Sequence, residues 1–166
     1  NQYLPEDIAV TAVVAAGERF HSRLNATGKT YEYHLIPYGT YDVFARKYAW
    51  QMTEPLDIEA MREAAGHVLG SHDFRSFCTK AAKKKSTIRA IRLLEIYETK
   101  NEIVIEITGN GFLYNMVRIL VGTLVEVGMG LRKADDIPTI LEKKERRYAG
   151  ETAPACGLFL KQIYYE

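Results

Sequence analysis

Patterns that would hold a metal or a disulfide framework are missing from this chain. Its two cysteines, Cys78 and Cys156, show no Cys-x-x-Cys spacing, and His21, His34, His67 and His72 do not recur at zinc-ligand intervals. No structural metal and a reducing cytoplasmic setting are expected. An excess of one charge is also lacking: 22 Lys and Arg face 21 Asp and Glu, a net charge of +1. That excludes a wholly basic nucleic-acid coat, so an anionic partner has to be met by a local patch. Nor is there an uninterrupted apolar run, because Asn115, Arg118 and Glu126 break the stretch 109–130, which speaks against a membrane span. No signal-peptide pattern is read at the start. The first residue is Asn1 rather than methionine, and a piece of a longer protein is expected.

What is present suits one globular domain over residues 1–166, with 47% hydrophobic and 26% charged residues. Eleven tyrosines and six phenylalanines serve core packing first and base stacking second. "IAVTAVVAA" (8–16) and "KTYEYHLI" (29–36) are rich in β-branched and aromatic residues and predict strands, the second with Tyr31, Tyr33 and Leu35 on one face. "LDIEAMREAAGHVLG" (56–70) predicts a helix capped by Asp57, apolar at Ile58, Met61, Ala65 and Val68, and ended by Gly70. The runs 88–99 and 101–109, split by Lys100 and Asn101, predict a hairpin. A long helix over 109–130, a shorter one over 135–146 with Pro138 in its first turn, and a terminal strand over 157–166 complete the order β-β-α-β-β-α-α-β. The fold class is α+β, a mostly antiparallel sheet covered by helices.

The long helix poses the sharpest question. Phe112, Leu113, Met116, Val117, Ile119, Leu120, Val121, Leu124 and Val127 cover well over half of its circumference. Tyr114, Asn115, Arg118, Gly122 and Glu126 form the remaining stripe, with Gly122 leaving room beside Arg118 for something to approach. A guanidinium stays charged, and a charge near a core is costly unless paired. Yet the positions three and four residues from Arg118 are Tyr114, Asn115, Val121 and Gly122, and Glu126 lies roughly 12 Å along the axis. Its partner therefore comes from elsewhere in the fold, from another domain or from a phosphate; snorkelling to solvent is the plainer alternative.

Tyr31 on an alternating strand reads first as a core residue. The segment 75–92, "RSFCTKAAKKKSTIRAIR", holds Arg75, Lys80, Lys83, Lys84, Lys85, Arg89 and Arg92 and no acid. Such a loop suits backbone phosphates, and a solvated surface loop is the competing reading. His72 and Asp73 are neighbours in sequence, which fits a cap or turn device rather than a dyad.

Four blocks in one order, "RFHSRLNATGKTYEY", "LGSHDFRSF", "GNGFLYNMVRILVGTLVEVG" and "TAPACGLFL", resemble the tRNA pseudouridine synthases of the TruA type across nearly the whole chain. The resemblance implies a pseudouridine synthase-like fold and identifies the chain as the C-terminal half of such an enzyme. It implies isomerisation of uridine to pseudouridine in the tRNA anticodon arm, by a homodimer and without cofactor or metal. In that chemistry an aspartate attacks the nucleotide, and uracil detaches, rotates and rejoins the ribose through a ring carbon. The target base first leaves the helical stack. By resemblance, Tyr31 packs on the flipped uracil and assists proton removal, Arg118 pairs with the catalytic aspartate, and Leu158 lines the pocket. The family's Arg-Thr-Asp-like block has no match here; Asp7, Asp42, Asp57, Asp73, Asp135 and Asp136 all lie outside one. That aspartate is expected on the N-terminal half, the chain alone is expected to be inactive, and a non-catalytic RNA-binding module is the alternative. Arg118 is expected at the rim of an open cleft near Tyr31 and Leu158, its guanidinium facing water or an anion.

Overall fold

A strand forms where alternating residues find a partner, and "ATGKTYEYHLI" finds three. In the computed structural model, which describes residues 1–79 and 86–165, β1 (Ala26–Ile36) pairs antiparallel with β5 (Ile103–Gly109) and β6 (Leu158–Tyr165), and in parallel with the short β2 (Trp50–Gln51). β4 (Ile88–Glu98) joins β5 as the expected hairpin, and β3 (Gly70–Asp73) joins β4. The result is a six-stranded, mostly antiparallel sheet in the order β2-β1-β5-β4-β3, with β6 alongside β1. Among the described residues three helices complete the α+β architecture: α1 (Ile58–Gly66), α2 (Met116–Gly128) and α3 (Asp136–Lys143).

The core lies between the helices and the sheet face that carries Tyr33 and Leu35 of β1, Ile105 and Ile107 of β5, and Ile91, Leu94 and Ile96 of β4. Every residue of α2 is buried except Arg118 and Glu126, which are half-buried. At about 1.5–3 kcal/mol for each large apolar side chain removed from water, this helix is fixed by packing rather than by capping. Indeed its cap residue, Asn115, has left-handed backbone (φ 60°) and makes no side-chain cap bond. α1 begins as expected, with the Asp57 carboxylate accepting from the Ala60 N–H at 3.0 Å.

Several expectations are corrected. Residues 8–16 form no strand: Val13 and Val14 are almost fully exposed, and a β-branched run without a partner strand gains nothing from its propensity. The Val10 backbone is instead held by the Asn1 side chain through both its N–H and its C=O. α1 stops at Gly66, and Gly70, with φ +97°, opens β3. His72 and Asp73 lie in that strand; the Asp73 carboxylate also caps the following 3-10 turn at Phe74–Phe77. The short β2 also escaped notice, being too short to show a period. The long helix begins at Met116, because 109–115 belongs to a strand end and a loop. Phe112, Leu113, Tyr114 and Asn115 are therefore not on its faces.

Candidate half-site at the start of the buried helix

The loop before α2 is shaped by contacts to β4. A Cβ at Gly109 would lie 2.9 Å from the Ala90 carbonyl, so only glycine passes there. Asn110 then clamps Ala90 twice: its N–H donates to the Ala90 carbonyl and its Oδ1 accepts the Ala90 N–H, both at 3.0 Å. This places Phe112 edge-on against Tyr31, with ring centroids 5.2 Å apart. Tyr31 is half-buried, and among the described residues its hydroxyl has no hydrogen-bond partner. Burial pushes its phenol above the ordinary value, so it is neutral near pH 7.

Arg118 stands in the first turn of α2. Its Nε donates to the Ala153 carbonyl at 2.6 Å, and its Nη1 to Asn115 Oδ1 at 3.3 Å. Among the described residues it has no ion pair with any carboxylate, and Nη2 has no partner. The expectation of a guanidinium facing water or an anion is thus corrected in part, since one edge is pinned to neutral oxygens. The neighbouring carbonyl, that of Pro154, accepts the Tyr33 hydroxyl at 2.6 Å. Tyr33 is fully buried, and burial raises its phenol further, with the nearby Cys156 thiol adding and Arg118 opposing. Arg118 and Tyr33 thus grip successive carbonyls of "TAPACGL".

Leu158 follows directly, half-buried and opposite Tyr33 in the β1–β6 register, while Tyr31 lies one pleat further opposite Leu160. Tyr31 and Leu158 therefore share the helix-covered face of the sheet, with Tyr33 between them and Arg118 linked to Tyr33 through the adjoining carbonyls of Ala153 and Pro154. Phe112 and Tyr33 were not singled out from the sequence as site residues. Both lay inside motif blocks, and only the tertiary contacts separate them from ordinary core residues. Gly122 does leave room, but for the chain itself: a Cβ there would sit 2.0 Å from the Glu151 carbonyl.

Of the basic residues, Arg75 is exposed and makes no side-chain bond among the described residues, and Arg89 is half-buried with Nη1 on the carbonyls of Ser86 and Ile88. The Arg89 side chain runs past Gly111. Lys80, Lys83, Lys84 and Lys85 lie outside the described residues. Their flank does meet the half-site: Thr79 accepts from Asn115 Nδ2 at 3.3 Å and donates its N–H to the Tyr114 carbonyl. Among the described residues no three His, Cys, Asp or Glu side chains converge to hold a metal ion. A cavity of about 350 Å³ further along α2, lined by Trp50, Met52, Val125 and Met129, includes none of Arg118, Tyr31 or Leu158.

Fold and half-site define a class: an α+β domain that carries a half-buried arginine with no acid among the described residues, and a half-buried aromatic pair. Comparison with known proteins makes this specific. A family model described as tRNA pseudouridine synthase matches residues 64–166. The chain is 46% identical over 165 residues to tRNA pseudouridine synthase A 1 of Bacillus cereus, covering 99% of this chain and 67% of that protein. It is 43% identical over 166 residues to tRNA pseudouridine synthase A of Bacillus subtilis (strain 168), covering all of this chain and 67% of the relative. The chain belongs to the tRNA pseudouridine synthase family.

Proposed function

We propose that this chain is the C-terminal part of an enzyme that isomerises uridine to pseudouridine in the anticodon stem-loop of tRNA, acting in the cytoplasm as a homodimer. The observation that carries this reading is Arg118: a half-buried, permanently charged group, held by neutral oxygens and given no carboxylate among the described residues. Its electrostatic partner is the catalytic aspartate of the N-terminal half, which takes Nη2. A charge-assisted bond from a nitrogen fixed in this way orients such a carboxylate for attack while keeping it ionised.

The reaction needs no redox partner. The glycosidic C–N bond breaks with its electron pair left on the uracil, the uracil turns, a C–C bond to the ribose forms, and the ring carbon in that new bond loses its proton while the freed ring nitrogen takes one up from solvent. Tyr31, edge-on to Phe112, supplies the face on which the flipped uracil packs. Its hydroxyl, without a hydrogen-bond partner among the described residues, accepts the departing proton while passing its own to solvent. Leu158 closes the apolar wall. Arg75, Arg89 and the lysines of 80–85 hold backbone phosphates without reading bases.

The test is tritium release from tRNA labelled at the uracil ring. None is expected from this chain alone, and release is expected when the N-terminal half is supplied. Robust turnover by the isolated chain would make one of its own aspartates the nucleophile and overturn the reading. In the full-length protein, near-normal turnover by Arg118→Lys would favour a plain RNA-binding module, because that exchange removes the planar guanidinium anchored on Ala153 and Asn115 and keeps the charge.

A further inference from the structure

Only two residues of α2 escape full burial, and both reach the same piece of chain. Residues 148–154 run along the helix as a strap, and every one of them is tied down. The Tyr148 carbonyl accepts from Arg132 Nη1 at 2.9 Å, and the Ala149 carbonyl from Arg146 Nη1 at 3.1 Å. The Gly150 N–H donates to Thr123 Oγ1 at 2.9 Å, and the Glu151 N–H to Glu126 Oε1 at 2.8 Å. Thr152 Oγ1 accepts from Arg146 Nη2 at 3.1 Å. Ala153 is held twice by Arg118, through the helix carbonyl and the guanidinium, and Pro154 by Tyr33. Glu126 is itself neutralised and aimed by an ion pair with Arg132.

The strap is the surface against which Arg118 is set. Its guanidinium has two anchors, Asn115 Oδ1 at 3.3 Å and the Ala153 carbonyl at 2.6 Å, and the shorter of them moves with the strap. We infer that Glu126 and Arg146 are positioning residues for Arg118: Glu126, held by Arg132, and Arg146 fix the strap so that the Ala153 carbonyl orients the guanidinium toward its partner. They touch neither substrate nor reacting atoms. The inference rests on the reading of Arg118 given above.

In the full-length enzyme, Glu126→Ala is expected to lower kcat about tenfold or more at little changed KM, since a displacement of about 1 Å in a positioned group costs on the order of 10²-fold. Glu126→Gln keeps an oxygen for the Glu151 N–H and is expected to retain most of kcat. Thr152→Val, nearly isosteric, removes only the Arg146 contact; it keeps the test valid if Glu126→Ala does not fold, with an expected loss of about threefold. The deciding measurement is the cycle with Arg118→Lys. In that background Glu126→Ala and Thr152→Val are expected to add less than about twofold, because they act through a geometry already lost. Equal losses in both backgrounds, accompanied by a lower Tm, mean that the strap merely stabilises the fold and overturn the inference; unchanged kcat in the Arg118 background overturns it too. Should Arg118→Lys and Arg118→Ala both keep full turnover, the reading of Arg118 fails on its own account. The geometry is then judged by hydrogen exchange at the Arg118 Nε–H in the labelled enzyme. Faster exchange in Glu126→Ala supports the positioning, and unaltered exchange refutes it.

Discussion

The two ends of α2 carry one charge each, and the helix treats them differently. Glu126, near the C-terminal end, is matched completely: Arg132 neutralises it and the Glu151 N–H uses its other oxygen. Arg118, in the first turn, receives a backbone carbonyl and an amide oxygen and no acid among the described residues. A half-buried ion balanced within its own chain has a structural task, whereas one oriented but left unbalanced is prepared for something that arrives. The same strap serves both ends, and on the proposed reading the structural charge at Glu126 sets the geometry of a functional one at Arg118.

Removing the unbalanced charge is the most direct way to break this contrast. Arg118→Ala in the full-length protein is expected to reduce kcat on the order of 10²–10³-fold while costing only about 1 kcal/mol of stability, measured by single-turnover tritium release and urea unfolding. A large stability loss with intact turnover would make Arg118 the structural charge and reverse the comparison. Tyr31→Phe comes next, with a loss of about 10²-fold in turnover and unchanged tRNA Kd in a filter-binding assay. Equal turnover would reduce Tyr31 to a stacking platform. Gly122→Ala disturbs both ends together, since its Cβ lies 2.0 Å from the Glu151 carbonyl and must push the strap away. A loss of about 1–3 kcal/mol in urea unfolding, together with roughly tenfold in kcat, is expected, and an unshifted unfolding midpoint would show the strap to be compliant.

The smallest effect sharpens the matched side. Burial alone would raise the Asp73 carboxyl, but hydrogen bonds from the Thr87 hydroxyl and the Arg75 N–H and the Lys144 ammonium outweigh it, and the net direction is downward. A carboxyl lowered on folding contributes stability above its unfolded-state value, about 3.9, and loses that contribution as pH falls through the lower folded value. Asp73→Asn is therefore expected to lower Tm at neutral pH and to flatten its decline in acid, with turnover unchanged. An unaltered acid slope would remove Asp73 from the set of locally matched charges.

The clearest sequence signals were those whose physics is local. The alternation of Tyr31, Tyr33 and Leu35, the hairpin about residues 100–101 and the cap at Asp57 all appear in the structure, because period and capping depend on near neighbours. The stretch 109–130 misled for the opposite reason. Its apolar run suits a helix throughout, but the Asn110 clamp on Ala90 ends β5 and bends the chain before Met116. Likewise 8–16 has every local mark of a strand and no partner to pair with. Arg118 was legible as an anomaly, a charge without an acid within one turn, and the resemblance gave that anomaly a chemical meaning.

By itself, then, the sequence determined the α+β class, the buried character of α2, the presence of an arginine with no acid within one turn and the family to which the chain belongs. It could do so because these rest on periodicity, on the charges within a turn, and on blocks of residues in fixed order. The fully bound strap 148–154, the placing of Phe112 against Tyr31, the interposed Tyr33 and the use of Gly122 were decided by tertiary structure alone. Apart from the bonds from Arg146 to the strap, these are contacts between segments far apart in the chain, closed by hydrogen bonds and close approaches whose geometry no spacing of letters records.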